Sequence, residues 1–168
     1  MHTGPIAVQE RSTALTPRRQ ELAARAPRQS ALQETTSLAR VVAVLGLLSV
    51  ALIHLLDLPA TMGAAPVQGT LYLMLVVGCL GGALVVVHGR APARWALVGL
   101  LGVTPAFAYV LTRTVGLPFD TGDVGNWGDQ LGIASLFVEG VVVFTAACAL
   151  RLEPRVLDGA GGPAPTSL

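Results

Sequence analysis

Four uninterrupted apolar stretches constrain the fold of this chain more than any other feature. They are Val41–Ala60, Leu71–Val87, Trp95–Leu111 and Leu131–Leu150. Each has about 17 to 20 residues, the length that a helix rising about 1.5 Å per residue needs to cross roughly 30 Å of hydrocarbon. Because lipid offers no hydrogen bonds to the backbone, such stretches are expected to be helical. The sequence therefore predicts an all-α fold, a membrane-embedded antiparallel four-helix bundle.

The composition favours a membrane protein over a soluble bundle. Hydrophobic residues make up 52% of the chain and charged residues 12%, whereas ordinary soluble domains have roughly a quarter charged residues. A soluble bundle would also need a polar stripe on each helix, and the second and third stretches have none. The two cysteines, Cys79 and Cys148, lie in separate apolar stretches. They predict buried thiols and suggest no disulfide framework.

The arginines predict an orientation in the membrane. The chain has no lysine, and six of its arginines precede the first stretch. Arg90 and Arg94 lie in the second connection, Arg151 and Arg155 follow the fourth stretch, and the opposite side has only Arg113. Since positive charge concentrates on the cytoplasmic side, both termini are predicted to be cytoplasmic.

Three regions are predicted along the chain. Residues 1–39 form a mobile basic cytoplasmic segment, residues 40–151 the four-span transmembrane domain, and residues 152–168 a Gly/Pro-rich disordered tail. Helix-breaking residues are expected to interrupt any long helix in the first region; they are Pro5, Pro17 and Pro27.

Polar residues of all four stretches are predicted to meet in the outer half of the bundle. These are His54, Asp57, Tyr72, Tyr109, Arg113 and Glu139. Glu139 lies about 12 Å inside the outer edge, and His54 about 20 Å above the inner one, so their depths match. An ionisable residue in lipid costs about 2.5 to 3.5 kcal/mol and is expected to face a partner. The expected partners of Glu139 are His54 and Arg113.

The outward loop before the fourth stretch adds Asp120, Asp123, Trp127 and Asp129. Its aspartates are most simply interpreted as solvated loop acids. Arg113 is expected to be either an interfacial anchor or the counter-ion of Glu139.

Two interpretations of the polar residues stay open. The first is a structural network that fixes the helix register. The second is an outward-open pocket for a divalent cation, a proton or a small ligand. In that pocket His54, Asp57 and Glu139 have the ligand types that bind a divalent metal, the one cofactor that the residues suggest.

Several segments together resemble a known group of proteins. They are "IHLLDLP" at the end of the first stretch, "RTVGLP" after the third and "DVGNW…LGIASLFVEG" entering the fourth. The chain resembles uncharacterised four-helix integral membrane proteins of high-GC, actinobacterial-type bacteria, over about residues 40–151, which implies the inner membrane of a bacterium as its location. The resemblance implies the same topology and points to His54, Arg113, Gly116, Pro118 and Glu139, but it implies no reaction.

The functional expectation is correspondingly broad. No motif of a known nucleophile, nucleotide site or zinc protease occurs, and no folded basic patch suggests nucleic-acid binding. The favoured prediction is a small multi-pass, non-enzymatic accessory or interaction subunit; the alternative is a binding or transport protein. Expected partners are the lipid bilayer and other membrane subunits or a second copy of the chain, with no nucleic acid.

Overall fold

Four α-helices make up the described part of the chain. The computed structural model describes residues 6–89, 91–117 and 121–160, with side-chain surroundings from residue 30 to 152 apart from positions 32, 90 and 118–120. The helices are α1 (Ile6–Ala64), α2 (Pro66–His88), α3 (Ala93–Thr114) and α4 (Gln130–Ala160). No β-strand occurs among the described residues, so the predicted all-α class is confirmed.

The helices begin and end where local chemistry favours it. Only Ala65 separates α1 from α2, and Pro66 occupies the first position of α2, where its missing N–H costs no helical hydrogen bond. At the end of α3, the N–H groups of Val115 and Gly116 both donate to the Leu111 carbonyl, at 3.0 and 3.1 Å. Gly116 has φ +76°, a left-handed conformation that glycine adopts without steric cost.

The first and last helices extend further toward the ends of the chain than the proline and glycine residues predict. Helix α1 continues through Pro17 and Pro27, since a long helix can continue on both sides of a proline at the cost of one hydrogen bond. Helix α4 runs to Ala160, so the first nine residues of the predicted disordered tail are helical. Pro5 and residues 161–168 lie outside the described residues.

The buried apolar core occupies the half of the bundle away from the α3–α4 loop (residues 115–129). It contains Leu47 and Val50 of α1, Cys79 and Val86 of α2, Trp95 and Val98 of α3, and Val142 and Ala146 of α4. Cys79 is buried, Cys148 is half-buried, and both are free thiols. Together these side chains close one end of the bundle.

The outward faces of the helices are apolar as well. Each helix contains a segment long and apolar enough to cross a membrane by length and composition: Gln33–Ala64, Pro66–His88, Ala93–Thr114 and Gln130–Leu152. Large side chains such as Leu45, Met74, Phe107, Phe137 and Phe144 are exposed on these segments. The four segments therefore match the number and places of the predicted spans.

The helices do not pack equally against each other. Contacts are extensive between α1 and α2, between α3 and α4, and between α1 and α4, and sparse between α2 and α3. Helices α2 and α3 approach closely where Leu101 lies over Gly78 and Gly82; a Cβ on Gly82 would lie 2.6 Å from Leu101 Cδ1. Nearer the α3–α4 loop the two helices separate and leave a cavity between them.

Candidate functional site

The cavity between α2 and α3 has a volume of about 400 Å³, within the range of roughly 300 to 1,000 Å³ that ligand pockets occupy. All four helices contribute to its wall. Every polar residue that the sequence predicted for the outer half of the bundle lines it, together with Asp129 of the loop: His54, Asp57, Tyr72, Tyr109, Arg113 and Glu139.

Helices α1 and α2 form a wall in which His54 is held in place. Its Nδ1 donates to the Val50 carbonyl at 2.9 Å, and its ring meets Tyr72 edge-on with 4.7 Å between ring centroids. Gln68 Nε2 in turn donates to the Tyr72 hydroxyl at 3.2 Å. Because Nδ1 carries the proton, Nε2 of the neutral ring is an acceptor.

Asp57 lies one turn after His54 at the rim of the same wall. Its Oδ2 accepts a hydrogen bond of 3.0 Å from Thr61 Oγ1. The side chain is half-buried, so it combines one protein partner with partial exposure.

Glu139 of α4 is the most deeply buried acid of the cavity, with 1% of its surface exposed. Ser135, one turn earlier, donates its hydroxyl to Glu139 Oε1. Oε2 has no hydrogen-bond partner in the described part of the chain. Burying a polar oxygen without a partner costs free energy, so Glu139 brings an uncompensated polar atom to the wall of the cavity.

Arg113 at the end of α3 is not the partner of Glu139, so the predicted Arg113–Glu139 pair is wrong. Its side chain is 6% exposed and forms ion pairs of 2.6 Å with Asp123 and 3.0 Å with Asp129. Its Cζ also lies 4.8 Å from the centroid of the Tyr109 ring, within cation–π range. The α3–α4 loop folds back onto the end of α3, where Gly125 N–H donates to the Arg113 carbonyl at 2.9 Å.

The loop acids consequently have defined partners. The interpretation of Asp123 and Asp129 as simply solvated is wrong, since both pair with Arg113. Asp129 also caps α4, because its Oδ1 accepts from Leu131 N at 3.2 Å. Trp127 is exposed and meets Tyr109 edge-on at 6.2 Å, whereas Asp120 and Pro118 lie outside the described residues.

The predicted metal-ligand set does not form. Among the described residues, no group of three or more His, Cys, Asp or Glu side chains is arranged to hold a metal ion. His54 and Asp57 lie on α1 and Glu139 on α4, so they line one cavity without converging on one point. The reason is that the helix depth inferred from residue counts fixes height in a bundle but not the direction of each side chain.

Several lining residues were not predicted as site residues. Gln68 and Ser135 each precede an assigned residue by four positions, a spacing that places both side chains on one helix face. That spacing could have identified both. The apolar part of the lining, including Leu71, Met74 and Leu100, has no comparable signal, because most residues of these helices are apolar.

Comparison with known proteins adds no relative. The sequence matches no protein-family model, and no curated protein or solved structure is significantly similar to it.

Proposed function

We propose that this chain is a multi-pass integral membrane protein that binds a small ligand in the cavity beside Glu139. Four helices of sufficient length and apolarity support a four-span antiparallel bundle in the cell membrane. The apolar outward faces, with Phe137 and Phe144 among the most exposed side chains, support lipid as the surrounding medium, since water would penalise such faces.

The arginine distribution supports an orientation with both termini in the cytoplasm of a bacterium and the α3–α4 loop outside. This orientation places the cavity in the outer half of the membrane. A cysteine introduced at the exposed loop position Val124 would react with an impermeant maleimide in intact cells. Reaction only after permeabilisation would contradict the orientation.

One observation carries the binding function: Glu139 is 1% exposed, lines a cavity of about 400 Å³, and has no partner for Oε2. A carboxylate that only stabilised the fold would be expected to have both oxygens satisfied by protein groups. Because Glu139 lines the cavity, a donor bound there is the partner that we propose for Oε2. A ligand with a donor group would satisfy Oε2 and bury its own apolar surface against the walls.

The experiment is native mass spectrometry of the protein extracted in mild detergent from its own cell membranes. We expect wild-type protein to retain a non-covalent adduct that Glu139→Gln loses, because the amide removes the charge but keeps the size of the side chain. Thr145→Val is the matched control. Thr145 is a buried polar residue of the same helix, outside the cavity lining, whose hydroxyl donates to the Val141 carbonyl.

The Thr145→Val protein should retain the adduct. Wild-type protein without an adduct, or an adduct retained equally by Glu139→Gln, would contradict the binding function. Circular dichroism of each variant checks that the helices are intact.

The second candidate is an accessory or interaction subunit in which the polar residues are purely architectural. The ion pairs of Arg113 with Asp123 and Asp129 favour it, because they fix the α3–α4 loop as a defined surface on which another membrane subunit or a second copy could dock. Under this candidate, loss of an Arg113 partner removes a co-purifying subunit, and Glu139→Gln changes thermal stability alone.

A further inference from the structure

We infer that the ligand is a membrane-partitioned amphiphile with a protonated amine, which enters the cavity sideways from the lipid between α2 and α3. This inference rests on the proposed binding function and specifies the chemistry of the ligand and its route.

The route follows from where the cavity reaches the surface. Leu71 and Met74 of α2 are exposed although they line the cavity, and so are Leu100, Thr104 and Ala108 of α3. Met74 is 67% and Leu100 62% exposed. These residues form two facing rows, because spacings of three and four residues repeat on one side of a helix. The opening between the rows lies within the apolar segments of both helices, so it faces the lipid.

The opening between α2 and α3 ends at Leu101 and does not extend along the whole bundle. Leu101 packs against Gly78 and Gly82 and holds α2 close to α3 on the core side. Above Leu101 the sparse packing of the two helices leaves a gap. A molecule entering the gap therefore stops with its leading end near the level of Glu139, which lines the same cavity.

The charge of the ligand follows from the titratable groups on the wall. Three carboxyl groups line the cavity, those of Asp57, Asp129 and Glu139, and one guanidinium, that of Arg113. Arg113 already has two acidic partners, Asp129 and Asp123. His54 offers an acceptor at Nε2 when neutral. The unmet demand at Glu139 Oε2 is therefore for a donor, and a positively charged donor is favoured by the excess of carboxylates.

The apolar side chains that line the rest of the cavity favour an amphiphile over a hydrated ion. Leucine and methionine side chains at Leu71, Met74, Leu75 and Leu100 cannot replace the water shell of a metal ion. They can pack against an alkyl or aryl chain, which has no water shell to replace when it enters from lipid. The polar end would then lie at Glu139 and the chain between the two rows.

The probe is radiolabelled n-octylamine, added to the protein in nanodiscs of zwitterionic lipid, with empty nanodiscs as the background. n-Octanol and n-octanoate are the matched neutral and anionic probes with the same chain length. We expect saturable binding of octylamine above background, weakened at least about tenfold by Glu139→Gln, as for loss of a charge-assisted hydrogen bond. Octanol and octanoate should show no Glu139-dependent binding.

The route is tested by widening a side chain at the opening. Met74→Trp should slow octylamine uptake at least about tenfold, whereas Val77→Trp should not change it. Val77 is exposed on the same helix and does not line the cavity, so it controls for the effect of a tryptophan on α2. Equal uptake rates in both variants would overturn the lateral route.

The outcomes separate this inference from the binding function. Glu139-dependent binding of octanol or octanoate in place of octylamine would overturn the amine and leave the binding function intact. A second outcome would also overturn the amine alone: none of the three probes shows Glu139-dependent binding, but Glu139→Gln still loses the native adduct. Loss of both the probe binding and the adduct difference would overturn both proposals.

Discussion

Two ionisable side chains, Arg113 and Glu139, line one cavity but have opposite surroundings. Arg113 is surrounded by groups that compensate its charge: two aspartates and the face of Tyr109. Glu139 has a single hydroxyl donor and one oxygen without a partner in the described part of the chain. Arg113 therefore fixes the loop, whereas Glu139 keeps an oxygen that the described protein groups do not satisfy.

Asp129 tests the structural half of this division, because it both pairs with Arg113 and caps α4. Asp129→Asn keeps an acceptor for the cap and removes the charge, so we expect it to cost less than about 1 kcal/mol of unfolding free energy. Asp129→Ala removes both interactions and should cost about 1 to 2 kcal/mol. Thermal unfolding in detergent should therefore rank wild type above the asparagine variant and that variant above the alanine variant. Equal midpoints for the two variants would contradict the capping role.

At the scale of the elements, the close approach of α3 to α4 positions Glu139. A Cβ on Gly102 would lie 2.9 Å from Val143 Cγ2 and 3.1 Å from the Glu139 carbonyl. The backbone of α4 at Glu139 therefore rests almost directly on the backbone of α3. Glycine is required here by contact between helices, since Gly102 has an ordinary helical φ.

Gly102→Ala should push α4 away at Glu139, cost about 1 to 3 kcal/mol as overpacking does, and weaken the adduct seen in native mass spectrometry. Gly99→Ala is the matched change one turn earlier in α3. Its Cβ would meet Ala146 Cβ at an ordinary 3.6 Å, so the higher helix propensity of alanine should leave stability unchanged or raised by up to about 1 kcal/mol. Equal thermal midpoints of the two variants, within the error of the scan, would refute the close approach of α3 to α4 at Gly102.

At the scale of the whole molecule, the number and places of the four apolar helices could be predicted from the sequence. Each apolar stretch is long enough to specify a helix by itself. The height of the polar residues could also be predicted, because helical rise per residue is constant; His54 and Glu139 line one cavity as their matched depths suggested.

Other features could not be predicted, because they depend on rotation and tilt. Residue counts do not show in which direction the Arg113 side chain points. Its ion pairs with Asp123 and Asp129 depend on the path of the α3–α4 loop. The separation of α2 from α3 depends on how Leu101 packs on Gly78 and Gly82. Glycines at these two positions allow a close approach, but the sequence does not show where that approach stops.

We propose that the cavity lies within a membrane-spanning bundle and opens into lipid. Collision accessibility of nitroxide labels in proteoliposomes distinguishes lipid from water at this opening, with Cys79 and Cys148 replaced by alanine and one label at Met74 or at Val124. We expect oxygen, which concentrates in lipid, to relax the label at Met74 more than a water-soluble nickel complex does, and the reverse at Val124. Stronger relaxation of the Met74 label by the nickel complex would place the opening in water and refute the lipid-facing cavity.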